Sequence, residues 1–155
     1  MIDFTLRRTS TASIEAIFDT MTDHRRLAEH VWMFRRSTLD KEGTPAPNGV
    51  GAVRRLVVIG PPFVEEIVEY QRPTRWAYTL LSGAPIRDHL GTIDLRETGN
   101  ETEVSWHIRA TVKVPGIDRL MLPVFKQFID TLLRAAIAAA EAPRHPERDS
   151  NVIGR

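Results

Sequence analysis

The sequence predicts an α+β fold in which a curved antiparallel sheet of seven strands wraps around one long C-terminal helix. Apolar and polar residues alternate over the first residues, again near residue 35, and then five times between residues 51 and 112, which is the period of half-buried strands. Two short segments with helical periodicity follow the first strand, and a much longer one extends from Ile117 to Ala140. Since a sheet wrapped on one helix tends to leave space between them, we expect a cavity there.

Length and composition narrow the class of protein. A chain of 155 residues has room for one domain, and folding would bury roughly 70% of its unfolded surface. With 42% hydrophobic residues, the chain is not disordered. The net charge is +1 and there is no basic block, which argues against a nucleic-acid partner. The absence of cysteine excludes disulfides, thiol nucleophiles and cysteine-ligated metals.

The N-terminal segment lacks the basic and apolar regions of a signal peptide, because charges occur at Asp3, Arg7 and Arg8. We therefore expect a cytoplasmic protein. The most apolar long segment, residues 117–140, is interrupted by charged side chains throughout, so we expect no membrane span.

The first 40 residues predict a strand, two short helices and a second strand. Alternation over residues 2–7 indicates the first strand. Ser13 or Ser10 can cap a helix whose apolar residues recur every three or four positions. Asp23 can cap a second helix that ends near residue 30, and strand character returns from Trp32 to Leu39.

Five more strands are predicted between Gly51 and Val112, separated by short turns rich in glycine and proline. Turns this short connect neighbouring antiparallel strands, so the segments should form a meander. One face of each strand carries large apolar side chains, as at Trp76 and Trp106, and should be covered. The predicted strands are residues 52–59, 63–71, 74–81, 88–97 and 102–112.

The last predicted element is an amphipathic helix of about six turns over residues 117–140. Pro123 lies inside its pattern and predicts a kink or a restart, because proline lacks a backbone N–H and clashes with the preceding turn. Residues 143–155 are charged and have no period, so we expect a mobile tail after a single domain of residues 1–142.

Three groups of residues carry a resemblance to a known family. They are the opening strand with residues 12–19, the segment from Phe63 to Tyr78, and Gly91–Leu95 together with Thr102–Trp106. With this order of elements, nearly all of residues 1–142 resembles the helix-grip fold of the START and birch-pollen-allergen (SRPBCC) superfamily, in its polyketide cyclase/dehydrase and lipid-transport-like branch. The resemblance implies a cavity for an apolar or aromatic ligand, with enzymes in a minority of members.

Several residues are candidates for lining this cavity. His30, Trp32 and Phe34 lie where the second helix becomes a strand, a point that borders the cavity mouth in helix-grip folds. The alternative is an ordinary helix–strand junction. The full set of predicted ligand-binding residues is His30, Trp32, Phe34, Tyr78, His89, Trp106, Met121, Phe125 and Phe128. The alternative for the aromatic members is that they form core rather than a ligand site.

Arg54 and Arg55 are adjacent on a strand, so one of them should point toward the covered face. An inward arginine requires an anionic partner, and Glu65, Glu66 and Glu69 on the next strand can supply it. We expect a cross-strand ion pair rather than a catalytic role.

His89 shares a strand face with Gly91 and is the best candidate for a polar group inside the cavity. It could also be an ordinary core histidine. As an acid or base it could serve an aldol cyclisation or dehydration, if Tyr78 or Arg54 polarised a substrate carbonyl.

No metal or other cofactor is expected. The histidines are scattered, and His107 should face away from His89 by strand alternation. The pair of glycines at Gly49 and Gly51 precedes a strand instead of opening a helix, which argues against a nucleotide.

Two functions are consistent with these residues. The first is binding or transport of a hydrophobic small molecule, such as a lipid, polyketide or aromatic metabolite, between sheet and helix. The second is an aromatase/cyclase or dehydratase that uses His89, Tyr78 and Arg54. A weaker third possibility is an interaction protein whose cavity is filled by its own side chains. Monomer and homodimer both remain open.

Overall fold

A computed structural model describes residues 1–143, and within them the chain forms three helices and one seven-stranded sheet. The predicted mobile tail lies, beyond Pro143 itself, outside the described residues. The elements are β1 (Ile2–Ser10), α1 (Ile14–Thr22), α2 (His24–His30), β2 (Arg36–Lys41), β3 (Val53–Val57), β4 (Phe63–Gln71), β5 (Arg75–Ser82), β6 (Ile86–Thr98), β7 (Glu101–Val112) and α3 (Asp118–Glu141).

The sheet has the strand order β1-β7-β6-β5-β4-β3-β2, and each neighbouring pair is antiparallel. Strands β2 to β7 therefore form the predicted meander, and β1 joins the free edge of β7. The α+β layout predicted from the sequence is confirmed. The covered face carries the core, including Ile67, Trp76, Ile93, Val104, Trp106 and Ile108.

The two short helices begin at capping side chains. The Ser13 hydroxyl accepts a hydrogen bond from the Ala16 N–H at 3.2 Å. The Asp23 carboxylate accepts one from the Arg25 N–H at 2.9 Å, and Asp23 is the single residue between α1 and α2. Phe18 and Ile17 of α1 are buried in the core, and both helices contact α3.

The start of β2 corrects the sequence prediction. The strand begins at Arg36 rather than at Trp32. Residues 31–34 instead form a turn in which the Phe34 N–H donates to the Val31 carbonyl at 3.0 Å. This turn directs Val31 and Phe34 into the core and leaves Trp32 79% exposed.

The helix α3 is continuous across Pro123, so the predicted restart is absent. Its buried residues lie between Ile129, at the middle of the helix, and Ile137 in the second half. In the first half Leu120 is 73% exposed and Val124 is 69% exposed. The second half therefore anchors the helix to the sheet. Among the described residues, no helix has both the length and the apolar character needed to cross a membrane.

Candidate functional site

A cavity lies between the covered face of the sheet and α3, and it consists of two adjoining chambers. The inner chamber is lined by Met21, Leu27, Val31, Phe34, Arg54, Leu56, Glu65, Trp76, Tyr78, Trp106, Leu132 and Ala136. The outer chamber is lined by Phe34, Leu56, Phe63, Glu65, Tyr78, Leu80, His89, Phe125, Phe128, Ile129 and Leu132. Since the chambers have walls in common, one elongated ligand could extend from one into the other.

Both chambers are narrow. The centre of a water molecule can occupy about 40 Å³ of the inner chamber and about 60 Å³ of the outer one. Each chamber therefore has room for at least one water molecule.

Most predicted site residues lie on the cavity wall. Trp106 and Arg54 line the inner chamber, while His89, Phe125 and Phe128 line the outer one. Phe34 and Tyr78 line both. These positions converge because the residues of β3, β5, β6 and β7 alternate toward the same face, opposite α3.

Two predicted ligand-binding residues do not line either chamber. Trp32 lies outside the cavity because it belongs to the turn before β2, and it faces a shallow surface groove beside Ala135 and Ala138 of α3. Met121 lies in the loosely packed first turns of α3 and is only partly buried against the core. His30 ends α2, and its side chain lies outside what the structure describes.

Arg54 and Glu65 form an ion pair within the cavity wall. They are register partners on β3 and β4, with only 2% and 5% of their surfaces exposed. The Arg54 Nε donates to Glu65 Oε1 at 2.8 Å, and its Nη2 donates to the same oxygen. The predicted cross-strand pair is present, and Glu65 is the partner.

The other N–H groups of Arg54 hold its side chain against the end of α1. Its Nη1 donates to the main-chain carbonyl of Met21 at 3.2 Å, at the C-terminal end of that helix. The guanidinium carbon lies 4.7 Å from the ring centre of Trp76, a cation–π contact. This network satisfies the arginine inside the protein, so Arg54 shapes the chamber and is not a free cation for a ligand.

His89 is held in a neutral form with a defined tautomer. Its Nδ1 accepts a hydrogen bond from the Leu80 N–H at 3.2 Å, so the ring proton belongs on Nε2. Burial lowers the pKa of His89 to about 4, because the surroundings disfavour the charged ring. At neutral pH this histidine therefore presents a neutral N–H to the outer chamber.

Tyr78 is one of the residues that line both chambers. Its ring stacks on Trp76, with centres 5.0 Å apart and planes at 24°, and lies 5.3 Å from the His89 ring. Burial raises the pKa of Tyr78 far above its ordinary value, and the Glu65 carboxylate adds to this shift. Gly91 on β6 provides the space for the phenol, because a Cβ there would lie 2.4 Å from Tyr78 Cε1.

In the described part of the chain, the buried side-chain polar atoms without a regular hydrogen bond are Ser37 Oγ and the indole nitrogens of Trp76 and Trp106. Trp76 and Trp106 each have 3% of their surface exposed, and both line the inner chamber. Within residues 1–143 the Trp76 indole N–H has no hydrogen-bond partner. The Trp106 indole N–H is near enough to the Tyr78 hydroxyl to oppose the rise in the pKa of Tyr78, although their geometry falls short of a regular hydrogen bond. Sequence analysis missed Trp76 as a site residue, although its place two residues before Tyr78 on the same strand face was a usable signal.

The other histidines form separate contacts. His24 Nδ1 lies 2.8 Å from Asn48 Oδ1, and His107 Nε2 lies 2.9 Å from Asp3 Oδ1 on the opposite side of the sheet from His89. Across the described part of the chain, no three side chains among His, Asp and Glu are grouped so as to hold a metal ion.

Comparison with known proteins gives one family and a shared fold. Residues 1–141 match the family described as polyketide cyclase / dehydrase and lipid transport. The comparison with curated proteins gave no match.

Among solved structures, a START superfamily protein from Mycobacterium smegmatis is similar with a TM-score of 0.76 and 14% identity, covering 90% of this chain and 97% of that one. The protein XoxI from Bacillus cereus has a TM-score of 0.71 and 19% identity, covering 90% and 95%. Ara h 8.0201 has a TM-score of 0.70 and 15% identity, covering 89% and 96%. These similarities show a common helix-grip fold.

Proposed function

The chain belongs to the polyketide cyclase/dehydrase and lipid-transport family, and from this premise we propose that it binds a hydrophobic small molecule in the cavity between the sheet and α3. We also propose that residues 1–142 form one ligand-binding domain, a division supported by the extent of the family match.

The observation that carries this proposal is the composition of the cavity wall. Aromatic and aliphatic side chains supply most of both chambers, and the polar groups are few and fixed in place. Small-molecule sites in proteins have this form, because apolar walls supply affinity and a few polar groups fix orientation. Phe125 and Phe128 belong to the loosely packed half of α3, which gives the outer chamber a wall that can adapt.

The state of the polar groups favours binding over turnover. An acid–base catalyst works best when its pKa lies near the working pH, whereas burial lowers the pKa of His89 to about 4. Tyr78 stays protonated, and Arg54 is already paired with Glu65. The candidates for cyclase or dehydratase chemistry are therefore suited to hold a ligand by hydrogen bonds.

The test is native mass spectrometry of the purified protein, together with a solvent extract of the same sample. We expect a stoichiometric small molecule, or a mass shift with members of a panel of fatty acids and aromatic polyketides. An unshifted mass across the whole panel would contradict the proposal and favour an interaction protein with a closed core. Conversion of the bound molecule during incubation would favour the enzyme instead.

A matched pair of variants locates the binding. Ala136 is buried in the wall of the inner chamber, whereas Ala138 is exposed on the same helix. Ala136→Leu should fill the inner chamber and reduce ligand occupancy, while Ala138→Leu should leave it unchanged. Circular dichroism melts of both variants check that the fold persists. Equal occupancy in the two variants would place the ligand elsewhere.

A further inference from the structure

We propose that His89 orients the ligand in the outer chamber by donating a hydrogen bond from its Nε2–H to an uncharged carbonyl oxygen on an otherwise apolar molecule. This inference rests on the proposed binding function and adds the chemical class of the ligand and the residue that selects it. It is carried by a buried N–H on the chamber wall that has no acceptor among residues 1–143.

A β-bulge directs His89 toward the chamber. Ile86 and His89 are both buried although they are three residues apart on β6, whereas in a regular strand they would face opposite sides. The register with β7 shifts between Arg87 and Leu90, and Asp88 has a φ of 52°. Bulges and left-handed residues other than glycine are concentrated at functional sites, where they re-aim a side chain.

The His89 ring is held by one of its two nitrogens. Its Nδ1 accepts a hydrogen bond from the Leu80 N–H at 3.2 Å, and the Thr79 hydroxyl donates to the His89 carbonyl at 2.8 Å. Because Nδ1 is an acceptor, the ring proton belongs on Nε2. The chamber wall therefore carries a donor in a defined position.

The Nε2–H has no acceptor in the described part of the chain. The bond to Nδ1 is the one hydrogen bond of this side chain within residues 1–143, and burial alone lowers its pKa. Fully enclosed side-chain atoms without a partner are Ser37 Oγ and two indole nitrogens, so Nε2 is not enclosed. Since His89 lines the outer chamber, Nε2 is accessible to a ligand there.

The charges around the outer chamber favour an uncharged acceptor. The His89 ring is neutral at pH 7, so it offers a hydrogen bond without a positive charge. The residues that line this chamber include the Glu65 carboxylate but no lysine or arginine. A ligand carboxylate would lose its hydration here without gaining a cation, so a ketone fits better than an acid.

The rest of the outer chamber fits an apolar body. Phe63 and Phe128 lie on its wall with ring centres 6.4 Å apart, and Leu80 and Phe125 extend the apolar surface. Such walls supply affinity, while a single fixed donor supplies orientation. The ligand oxygen therefore lies at His89, and its apolar part packs against Phe125 and Phe128 of α3.

Three probes of matched size and shape test this inference: cumene, which has no acceptor; acetophenone, which has a ketone; and benzoate, which is anionic. Affinities are measured by calorimetric titration of the full chain. Because cumene is more hydrophobic than acetophenone, the ratio of their affinities is compared between variants, where the free energy of leaving water cancels. Benzoate should bind more weakly than acetophenone.

Variants of His89 isolate the donor. His89→Met removes the N–H, so the affinity for acetophenone relative to cumene should fall by about three- to tenfold, the range of a net hydrogen bond. His89→Gln keeps an N–H donor beside its acceptor for the Leu80 N–H, so it should retain most of the ratio. His107→Met, on the opposite side of the sheet, should leave the ratio unchanged.

Nitrogen NMR of the imidazole rings reports the contact directly. Long-range proton–nitrogen spectra resolve the two nitrogens of each histidine, and His89→Met assigns the His89 signals by their disappearance. We expect acetophenone to move the His89 Nε2 signal downfield relative to cumene, while the His107 signals stay in place. A purely structural histidine would show the same Nε2 shift with both probes.

The outcomes separate this inference from the proposed function. Equal losses of acetophenone and cumene affinity in His89→Met would overturn the inference and leave the function standing, because both probes would still bind the unaltered protein. Failure of all three probes to bind the unaltered protein would contradict the inference as well, while a co-purified or panel ligand would still support the function.

Discussion

The buried ion pair of Arg54 and Glu65 is the residue-scale feature with the largest consequence for stability. Removing one partner leaves an uncompensated charge inside the protein, which typically costs 3–5 kcal/mol, so we expect Arg54→Met to lower the free energy of unfolding by about 4 kcal/mol. The double variant Arg54→Met/Glu65→Leu should recover most of this loss. Urea denaturation of both proteins measures the difference.

Arg55 provides the control, because it pairs with Asp40 at 2.7 Å on the exposed side of the same strand. Arg55→Met should change the free energy of unfolding by about 1 kcal/mol or less. Equal losses for Arg54→Met and Arg55→Met would show that burial does not determine the contribution of the inner pair.

His89 should make stability depend on pH. Burial lowers the pKa of His89 to about 4, whereas the unfolded chain has the ordinary value of 6.5. Above pH 6.5 neither state is protonated, but between pH 6.5 and pH 4 only the unfolded state takes up the proton. Stability is therefore lost as the pH falls through this window, and between pH 7 and pH 5 His89 should account for about 2 kcal/mol.

The variant His89→Gln tests this effect, because glutamine retains an acceptor for the Leu80 N–H without titrating. Urea midpoints at pH 7 and pH 5 should show a smaller loss for the variant than for the unaltered chain. Carboxylates that titrate in both proteins cancel in the comparison. Identical losses would mean that His89 titrates normally in the folded state.

At the scale of elements, the strands with clear boundaries in the sequence were the ones predicted best. The prediction for β4 agrees with the structure at both ends, Phe63 and Gln71, because one proline directly precedes the strand and another follows it by two residues. The predicted start of β2 at Trp32 was wrong, because Trp32 and Phe34 have the alternating pattern of strand residues although they lie in a turn. Nothing local in the sequence shows that Phe34 reaches the core through a turn, since that depends on the distant residues that receive it.

The helix α3 combines an anchored half and a loosely packed half. Leu133 is completely buried in the second half, whereas Leu120 is 73% exposed in the first. Leu133→Ala should therefore cost about 2–5 kcal/mol of unfolding free energy. Leu120→Ala should change it by about 0.5 kcal/mol or less. Thermal or urea denaturation checks both, and similar losses for the two variants would contradict the division of the helix.

At the scale of the whole molecule, the helical and strand periods were sufficient to predict the fold and the general position of a cavity. Strand alternation placed Tyr78, His89 and Trp106 on one face, and the structure has them on the cavity wall. The width of the cavity could not be predicted, because it depends on how far α3 lies from the sheet. The unsatisfied N–H of Trp76 could not be predicted from the sequence either, since the absence of a hydrogen-bond partner depends on three-dimensional packing.

The limits of the folding unit give a prediction for the molecule as a whole. Glu141, the last residue of α3, accepts hydrogen bonds from the Ser10 hydroxyl at 2.7 Å and from the Thr11 N–H at 3.1 Å. These bonds connect the end of the helix to the end of β1, and Ser10 is buried. A chain shortened to residues 1–142 keeps both, so its melting temperature and ligand binding should match those of the full chain.

A chain shortened by two more residues, to end at Ala140, loses Glu141 and leaves the Ser10 hydroxyl without its partner. This loss should cost about 1–2 kcal/mol and lower the melting temperature by roughly 3–8 °C. Calorimetric scans of the three chains measure the comparison. If removal of residues 143–155 alone lowered the melting temperature by as much, the domain would extend beyond α3, because contacts from that segment would then contribute to the stability of the sheet and helix.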